Sequence, residues 1–282
     1  MGEASRSMRP QQGRPPPLPL VRLLTSSLRV LPDFIILGGM RCGTSSLYAY
    51  LCEHPQILPP WAKEVHFLNG KRGAGWYRAH FPTRAAMLWH KLRRGRALTF
   101  EASPYYLVHP GGPRRLSKIV PRAKLIVLVR NPVDRAYSHY QFNVRIERER
   151  HSFEGAIKRE AKRLDGEREQ MLADEAYRSP RFRRYSYTTR GMYYDQIMAY
   201  ERYFSRGQML VLKSEDLFER TQETYDEVLR FVGLDPWQLQ STAPANMASY
   251  ERDRPPGYNE LRAFFAPHNQ RLYEYLGRDL SW

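Results

Sequence analysis

Apolar runs and helical patterns alternate along most of the chain. Three short runs, at 34–37, 124–129 and 209–212, are rich in Ile, Leu and Val and are typical of strands buried on both faces. Apolar residues recur at helical spacing over four stretches: 44–51, 132–142, 194–204 and 221–232, the last of them followed by Gly233 as a helix stop. Strands separated by helices predict an α/β fold in which helices flank a central parallel sheet.

The domain boundary falls where this pattern begins. The chain before it contains Pro15-Pro16-Pro17, and its first residues have neither periodicity nor apolar content, which is typical of disorder. We therefore predict a disordered basic leader over residues 1–32 and a single domain over residues 33–282.

Two segments of that domain depart from the strand and helix pattern. Residues 145–185 are dense in Arg and Glu and hold few apolar positions, which predicts an exposed helical or partly mobile insertion rather than core. Residues 259–277 are amphipathic, and Pro267 is expected to divide them into two helices that pack back on the sheet.

Composition excludes two classes of protein. The 282 residues are 42% hydrophobic and 13% aromatic, which is enough for an enzyme-sized core and too much for a disordered chain. No window approaches the ~20 consecutive apolar residues that span a bilayer. Arg22 and Arg29 interrupt the apolar stretch 18–31, which also lacks a signal-peptide cleavage site. The sequence therefore predicts neither a membrane span nor a signal peptide or anchor.

The two cysteines bear on location. Cys42 and Cys52 lie within one predicted strand, loop and helix, so they cannot form a long-range disulfide. A fold that is stabilised by packing alone fits a reducing compartment. We predict a cytoplasmic protein.

The charge balance indicates an anionic partner. The chain has 45 Lys and Arg against 29 Asp and Glu, a formal net charge of +16. Much of the excess lies in residues 70–99, which carry eight basic and no acidic residues, and in residues 113–135, which carry seven basic and one acidic residue. Such segments attract phosphate or another polyanion.

A loop at 39–45 is the first candidate for anion binding. It reads Gly-Met-Arg-Cys-Gly-Thr-Ser and joins a predicted strand to a helix N-terminus, where backbone N–H groups and the helix dipole attract phosphate. The nucleoside triphosphatase motif nearly matches from Gly38, but Thr44 occupies the lysine position and the nearest cation is Arg41. The loop is therefore P-loop-like, and its sequence argues against ordinary ATP or GTP hydrolysis.

A second candidate lies at the end of the second predicted strand. Arg130 stands at its carboxyl edge, where ligands bind in open α/β sheets, and Ser138 follows two turns into the next helix. A guanidinium and a hydroxyl at this edge could hold a second phosphate.

These two motifs, in this order, resemble those of the sulfotransferase superfamily. In that superfamily the first loop binds the 5′-phosphosulfate of 3′-phosphoadenylyl sulfate and the second motif binds its 3′-phosphate. Seven more segments resemble heparan-sulfate-type and related bacterial carbohydrate sulfotransferases, so that the resemblance covers residues 33–282. These segments are 62–68, 75–77, 81–82, 101–106, 190–193, 211–217 and 276–282.

The resemblance implies roles for individual residues. It makes 3′-phosphoadenylyl sulfate the co-substrate with no metal, and it places the catalytic base at Glu64, beside Lys63, with Arg41 at the transferring group. His66 competes as base because an unperturbed imidazole titrates near neutrality. In an extended segment Glu64 and His66 would share one side. Donor contacts are implied for Arg41, Cys42, Gly43, Thr44, Ser45, Arg130, Ser138, Tyr193 and Arg252, and acceptor contacts for His66, Ser103 and Tyr105.

Three departures from the family pattern bear on the acceptor and the donor site. Arg41 stands where the family more often has Lys, and Ala102 stands where the heparan enzymes have Lys beside the acceptor. The basic loop near the C-terminus has only a loose counterpart in residues 250–257. The sequence leaves open whether the acceptor is anionic and what the oligomeric state is.

Three functions are compatible with these residues. The favoured one is transfer of a sulfuryl group from 3′-phosphoadenylyl sulfate to a hydroxyl or amine of a glycan-like acceptor. A P-loop-type kinase would keep the fold and change the donor. A non-catalytic protein that binds polyanions or nucleic acid is compatible with the charge, although no nucleic-acid motif is present and we expect no nucleic-acid partner.

Overall fold

The computed structural model of the protein describes residues 17–243 and 255–282. Within them lies one parallel sheet of four strands in the order β2-β1-β3-β4. The strands are β1 Phe34–Gly38, β2 Phe100–Ala102, β3 Lys124–Val129 and β4 Met209–Lys213. Phe34 of β1 is opposite Phe100 of β2 on one side and Lys124 of β3 on the other. The predicted α/β fold with a central parallel sheet is confirmed.

Helices cover both faces of this sheet. The α-helices of the described residues are α1 Leu20–Leu24, α2 Thr44–Glu53, α3 Ala74–Arg78, α4 Arg84–Arg94, α5 Gly112–Ile119, α6 Pro132–Arg145, α7 Phe153–Leu164, α8 Glu167–Ala173, α9 Pro180–Tyr185, α10 Tyr193–Glu201, α11 Ser214–Glu219, α12 Thr221–Val232 and α13 Tyr258–Leu276. Short 3-10 helices span Ser26–Leu28, Thr189–Gly191 and Arg206–Gln208. Among these helices, none combines the length and the apolar character that crossing a bilayer would take.

The core has two layers because successive strand residues point to opposite faces. Ile35 and Leu125 pack on one face against α5, α10 and α13. Phe34 and Ile126 pack on the other face against α2 and α12. All four side chains are completely buried. The unbroken apolar runs of the sequence are the consequence of covering both faces.

The parallel strands deliver four chain segments to one edge of the sheet. Their carboxyl ends lead into the loop at 39–43, Ser103, Arg130 and Ser214. At the end of β3 the Asn131 carboxamide accepts hydrogen bonds from the first amides of α6, which fixes the start of that helix. The candidate site is built at this edge.

The N-terminal region differs from the predicted leader. Residues 20–28 form α1 and a 3-10 helix instead of remaining disordered. Arg22 Nε donates to the Ala79 carbonyl at 2.7 Å, and Arg29 donates to the Phe81 carbonyl at 2.9 Å. Arginines that suggested a solvated leader instead satisfy carbonyl groups of the domain. Residues 1–16 of the predicted leader lie outside the described residues.

The charged segment 145–185 is helical, as predicted, but it is not detached from the core. Phe153 of α7 packs against Val133 and Phe265 in a small core of its own. Met171 and Phe182 pack in another. The few apolar residues of this segment are sufficient to attach α7, α8 and α9 to the domain.

The C-terminal stretch forms one helix, so the predicted division at Pro267 is wrong. α13 continues through Pro267 from Tyr258 to Leu276. The proline is exposed, so the carbonyl that it leaves unpaired can be hydrated. Phe265 and Leu272, buried on either side of it, hold both halves of the helix to the domain.

Candidate active site

The loop between β1 and α2 is shaped to receive an anion. Gly43 adopts φ 86° as the N-cap of α2, and a Cβ atom there would come within 3.0 Å of the Phe218 ring. Glycine is therefore required by both the backbone conformation and the close approach of α11. The amides of Thr44 and Ser45 open the helix, where backbone N–H groups lack intrahelical acceptors. The predicted phosphate-binding loop thus has the local geometry of an anion site.

Arg41 reaches from this loop to α6. Its Nε donates to Ser138 Oγ at 3.0 Å, and its guanidinium lies 5.6 Å from the centre of the Phe142 ring. Arg130 at the end of β3 donates to the Arg41 carbonyl at 3.3 Å. The structure therefore brings together the two motifs that the sequence predicted as separate phosphate sites. It also directs the cation of the first motif toward the hydroxyl of the second.

A second cluster, Lys63, Glu64 and His66, is joined to the loop through Lys63. The Lys63 ammonium donates to Ser45 Oγ at 2.9 Å and to Glu64 Oε1 at 3.2 Å. His66 Nε2 lies 3.5 Å from Glu64 Oε2. Glu64 and His66 both have left-handed backbones, with φ 59° and 55°, so the segment is not extended as predicted. The two side chains nevertheless lie in contact, although the extended geometry expected to place them on one side is absent.

His66 is neutral near pH 7. Burial lowers its pKa, and the neighbouring charges of Arg183 and Lys63 lower it further against the opposing effect of Glu64. Its Nδ1 is buried and has no hydrogen-bond partner among the described residues. A neutral imidazole beside Glu64 can accept a proton, so the geometry keeps both residues as candidate bases.

A buried carboxyl lies beneath this cluster. Glu101, in the middle of β2, is completely buried and accepts hydrogen bonds from the hydroxyl groups of Tyr77, Ser103 and Tyr106. The bonds from Ser103 and Tyr106 are both 2.7 Å long. Burial raises the pKa of Glu101 to about 7 despite these three donors.

The Glu101 network holds the backbone of the candidate catalytic segment. The Tyr106 hydroxyl accepts the Phe67 amide at 2.7 Å, and Ser103 Oγ accepts the His66 amide at 3.5 Å. Nearby, the Glu64 amide donates to the carbonyl of Ala102. The strand β2 and its hydroxyl partners thus fix the turn on which Glu64 and His66 stand.

Arg190 is a site residue that the sequence analysis did not select. It is 3% exposed, donates to Ser186 Oγ at 2.7 Å, and contacts the sulfur of Met40 in the anion-binding loop. Its guanidinium lies 5.4 Å from the centre of the Tyr105 ring. Burial lowers its pKa to about 10, which leaves it charged at neutral pH. Its place in the segment 190–193, already noted for its resemblance, was the available signal.

A sequence profile of the family described as Sulfotransferase domain matches residues 31–254. The chain belongs to the sulfotransferase family. It is an enzyme that transfers a sulfuryl group.

Solved and characterised relatives agree with this assignment. A crystal structure of the sulfotransferase from Alicyclobacillus acidocaldarius is 33% identical, with a TM-score of 0.66 over 89% of this chain and 98% of that one. The mouse heparan sulfate glucosamine 3-O-sulfotransferase 3A1 is 27% identical over 93% of this chain and 67% of that protein. The mouse bifunctional heparan sulfate N-deacetylase/N-sulfotransferase 4 is 29% identical over 76% of this chain but only 23% of its own length.

Two predicted donor contacts of this sulfotransferase lie behind the loop. Cys42 is completely buried, with Sγ 3.8 Å from the Tyr193 hydroxyl, and burial raises the pKa of its thiol to about 11. The Tyr193 hydroxyl donates to the Arg130 carbonyl at 3.0 Å. Both side chains therefore support the positions of the loop and of Arg130 from within the core.

The predicted acceptor residues of the sulfotransferase differ in how accessible they are. His66 stays half-buried beside Glu64, whereas the Ser103 hydroxyl is completely buried on Glu101. Tyr105 is nearly buried between Arg190 and His109. Arg252 lies outside the described residues. Across residues 17–243 and 255–282, no group of three or more His, Cys, Asp or Glu side chains is placed to hold a metal ion.

Proposed function

We propose that this sulfotransferase takes the sulfuryl group from 3′-phosphoadenylyl sulfate and transfers it to a hydroxyl or amine of a glycan-like acceptor. The observation that carries the proposal is the position of Lys63. Its ammonium joins Ser45 of the anion-binding loop to the Glu64 carboxylate through bonds of 2.9 and 3.2 Å. A donor-binding element and a candidate base are therefore parts of one hydrogen-bonded unit.

The residues at the sheet edge fit the donor. The amides of Gly43, Thr44 and Ser45 would hold the 5′-phosphosulfate at the positive end of α2. Arg130 and Ser138 would hold the 3′-phosphate, because a guanidinium and a hydroxyl both donate to phosphate oxygens. The bound donor supplies a sulfuryl group already activated by its link to phosphate.

Arg41 fits a place between the two anionic groups of the donor. It stands in the loop but donates to Ser138, and its carbonyl accepts from Arg130. The planar guanidinium can form parallel hydrogen bonds where the ammonium of the usual lysine would act as a point charge. We assign Arg41 to stabilising the negative charge that leaves with the phosphate, and not to proton transfer.

Glu64 is the proposed general base. As the acceptor oxygen or nitrogen forms its new bond to sulfur, its proton passes to a Glu64 carboxylate oxygen, and the bond from sulfur to the donor phosphate breaks. Lys63 holds Oε1 of that carboxylate, which leaves Oε2 beside His66 to receive the proton. Neutral His66 is the competing base in the same cluster.

Support for a glycan-like acceptor comes from the relatives that are named for heparan sulfate. The basic residues of 70–99 would suit an anionic glycan, whereas Ala102, in place of a lysine, removes one contact of that kind. The kinase alternative has no lysine in the loop and no aspartate at the end of β3 to support it. The alternative of a non-catalytic protein does not account for the hydrogen-bonded set of Ser45, Lys63 and Glu64.

The test is transfer from labelled 3′-phosphoadenylyl sulfate to a panel of glycans, lipids and phenols. We expect a glycan hydroxyl or amine to be labelled, and Glu64→Gln to slow labelling roughly 10²–10⁴-fold while calorimetry still detects binding of adenosine 3′,5′-bisphosphate. Labelling of phenols or lipids alone would reject the acceptor class. Binding of ATP with magnesium, without binding of adenosine 3′,5′-bisphosphate, would reject the donor.

A further inference from the structure

The helix α4 carries an apolar stripe on the side that faces away from the protein. Ala85, Leu88, Trp89 and Leu92 follow the i, i+3, i+4, i+7 spacing that places residues on one face of a helix. Leu88, Trp89 and Leu92 are 59%, 60% and 74% exposed. An amphipathic surface helix normally turns such a stripe to the core, yet no side chain of α4 is buried by the described residues.

The opposite side of α4 makes the contact with the domain. The His90 ring nitrogen lies 2.7 Å from the Pro55 carbonyl, and Met87 is half-buried. At about 100° per residue, these two positions lie roughly opposite Trp89 and Leu92. The outward direction of the apolar stripe is therefore fixed by the packing of the helix.

Basic side chains border the stripe on both sides. Arg84 and Lys91 lie along one border, and Arg93 lies along the other with its guanidinium 4.5 Å from the centre of the Trp89 ring. Residues 70–99 contain eight basic and no acidic residues. An apolar stripe between cationic borders is the pattern of a helix that lies in the interface of an anionic bilayer.

The helix α1 adds a neighbouring apolar patch. Leu20, Val21 and Leu24 are 62% to 74% exposed, whereas Arg22 turns inward to the carbonyls of Ala79 and Phe81. The segment that receives Arg22 leads directly into α4, which begins after its N-cap Thr83. The apolar patch of α1 is therefore anchored to the chain segment just before α4.

We propose that α1 and α4 form a docking surface for an anionic lipid membrane. Their leucines and Trp89 would enter the interface while the bordering lysine and arginines bind lipid phosphate and carboxylate groups. Residues 1–16 are a poor alternative cover for the stripe. They contain only Met1, Ala4 and Met8 as apolar residues besides prolines, and their three Arg and one Glu give them the same sign of charge as α4.

The test is sedimentation of the full 282-residue chain with vesicles, without donor or acceptor. Vesicles of phosphatidylcholine alone are compared with vesicles that contain about 30 mol% phosphatidylserine. The apolar variant is Leu88→Ser with Trp89→Ser and Leu92→Ser, and the charge variant is Lys91→Gln with Arg93→Gln. Leu172→Ser is the matched control, because Leu172 is a 50% exposed leucine on α8.

We expect binding to the phosphatidylserine vesicles that weakens as salt is added. The apolar variant should lower the partition constant more than about tenfold. The charge variant should lower it roughly fivefold for each charge removed. Leu172→Ser should bind like the wild type.

Three results would overturn the proposal. They are failure of the wild type to bind phosphatidylserine vesicles, equal binding by the apolar variant, and a wild-type dimer in light scattering that the apolar variant dissociates. The last result would assign the stripe to a second copy of the chain. Because the assay contains no sulfuryl donor, its outcome is independent of the proposed transfer reaction.

Discussion

Replacing Glu101 with Gln is expected to change how the stability of the protein depends on pH. Burial raises the pKa of this carboxyl from its ordinary 4.5 to about 7. Between those values the folded protein keeps a proton that the unfolded chain has released. The contribution of Glu101 to the free energy of unfolding is therefore complete below pH 4.5 and is lost as the pH rises through 7.

The size of this effect follows from the pKa difference. Each pH unit between the folded and unfolded values corresponds to about 1.4 kcal/mol. The separation of Glu101 from its ordinary value thus gives about 3 kcal/mol between pH 4.5 and pH 8. Gln has no charge to bury at any pH, so Glu101→Gln should lack this loss.

Urea denaturation of the wild type and of Glu101→Gln at pH 5 and pH 8 measures this pH-dependent loss of unfolding free energy. Subtracting the two free energies of unfolding removes the titration of groups that both proteins share. Relative to wild type, the free energy of unfolding of Glu101→Gln should gain about 2.5 kcal/mol on going from pH 5 to pH 8. The Tyr106 hydroxyl lowers the pKa of Glu101, so this pKa should rise in Tyr106→Phe. The pH-dependent loss of stability seen in the wild type should therefore extend to higher pH in that variant. An equal difference between wild type and Glu101→Gln at both pH values would refute the reasoning.

The other predictions concern the donor site and the base. Arg130→Ala and Ser138→Ala should each weaken the binding of adenosine 3′,5′-bisphosphate by ~1.5–3 kcal/mol in calorimetry. Replacing the exposed Arg181 with Ala should leave this affinity unchanged. Unchanged affinity in both Arg130→Ala and Ser138→Ala would remove this motif from the site. Glu64→Gln should lower turnover roughly 10²–10⁴-fold with donor affinity kept, and an inactive, folded His66→Ala beside an active Glu64→Gln would reverse the assignment. Transfer should persist in EDTA and donor binding should fall with salt; loss of transfer in EDTA would contradict a mechanism built on arginines and amides.

The strands differ in how far they can be predicted from the sequence. β1, β3 and β4 are continuous apolar runs, which is how strands covered on both faces appear. β2 is not visible in this way, because Glu101 occupies its centre. The hydroxyl groups that accommodate this carboxyl include that of Tyr77, which lies 24 residues away, and such long-range partners leave no local pattern.

The members of the site were easier to predict than their geometry. The resemblance named Arg41, Ser138, Glu64 and His66, and the structure brings them together in two contacting pairs. Alternation in an extended segment could not describe Glu64 and His66, because both have positive φ values that ordinary side chains seldom adopt. Those values depend on the tertiary contacts of β2.

The attachment of α7, α8 and α9 has a consequence for how acceptor choice can change. Those predicted donor contacts that the structure describes stand at the carboxyl edge of the sheet and on neighbouring elements, and this helical segment supplies none of them. Phe182 packs in one cluster with Tyr105, and the Arg183 carbonyl accepts from Arg190. A chimera that exchanges residues 145–185 with those of a relative would therefore retain the donor half. Because Tyr105 is a predicted acceptor contact, we expect this exchange to alter acceptor choice more than donor binding.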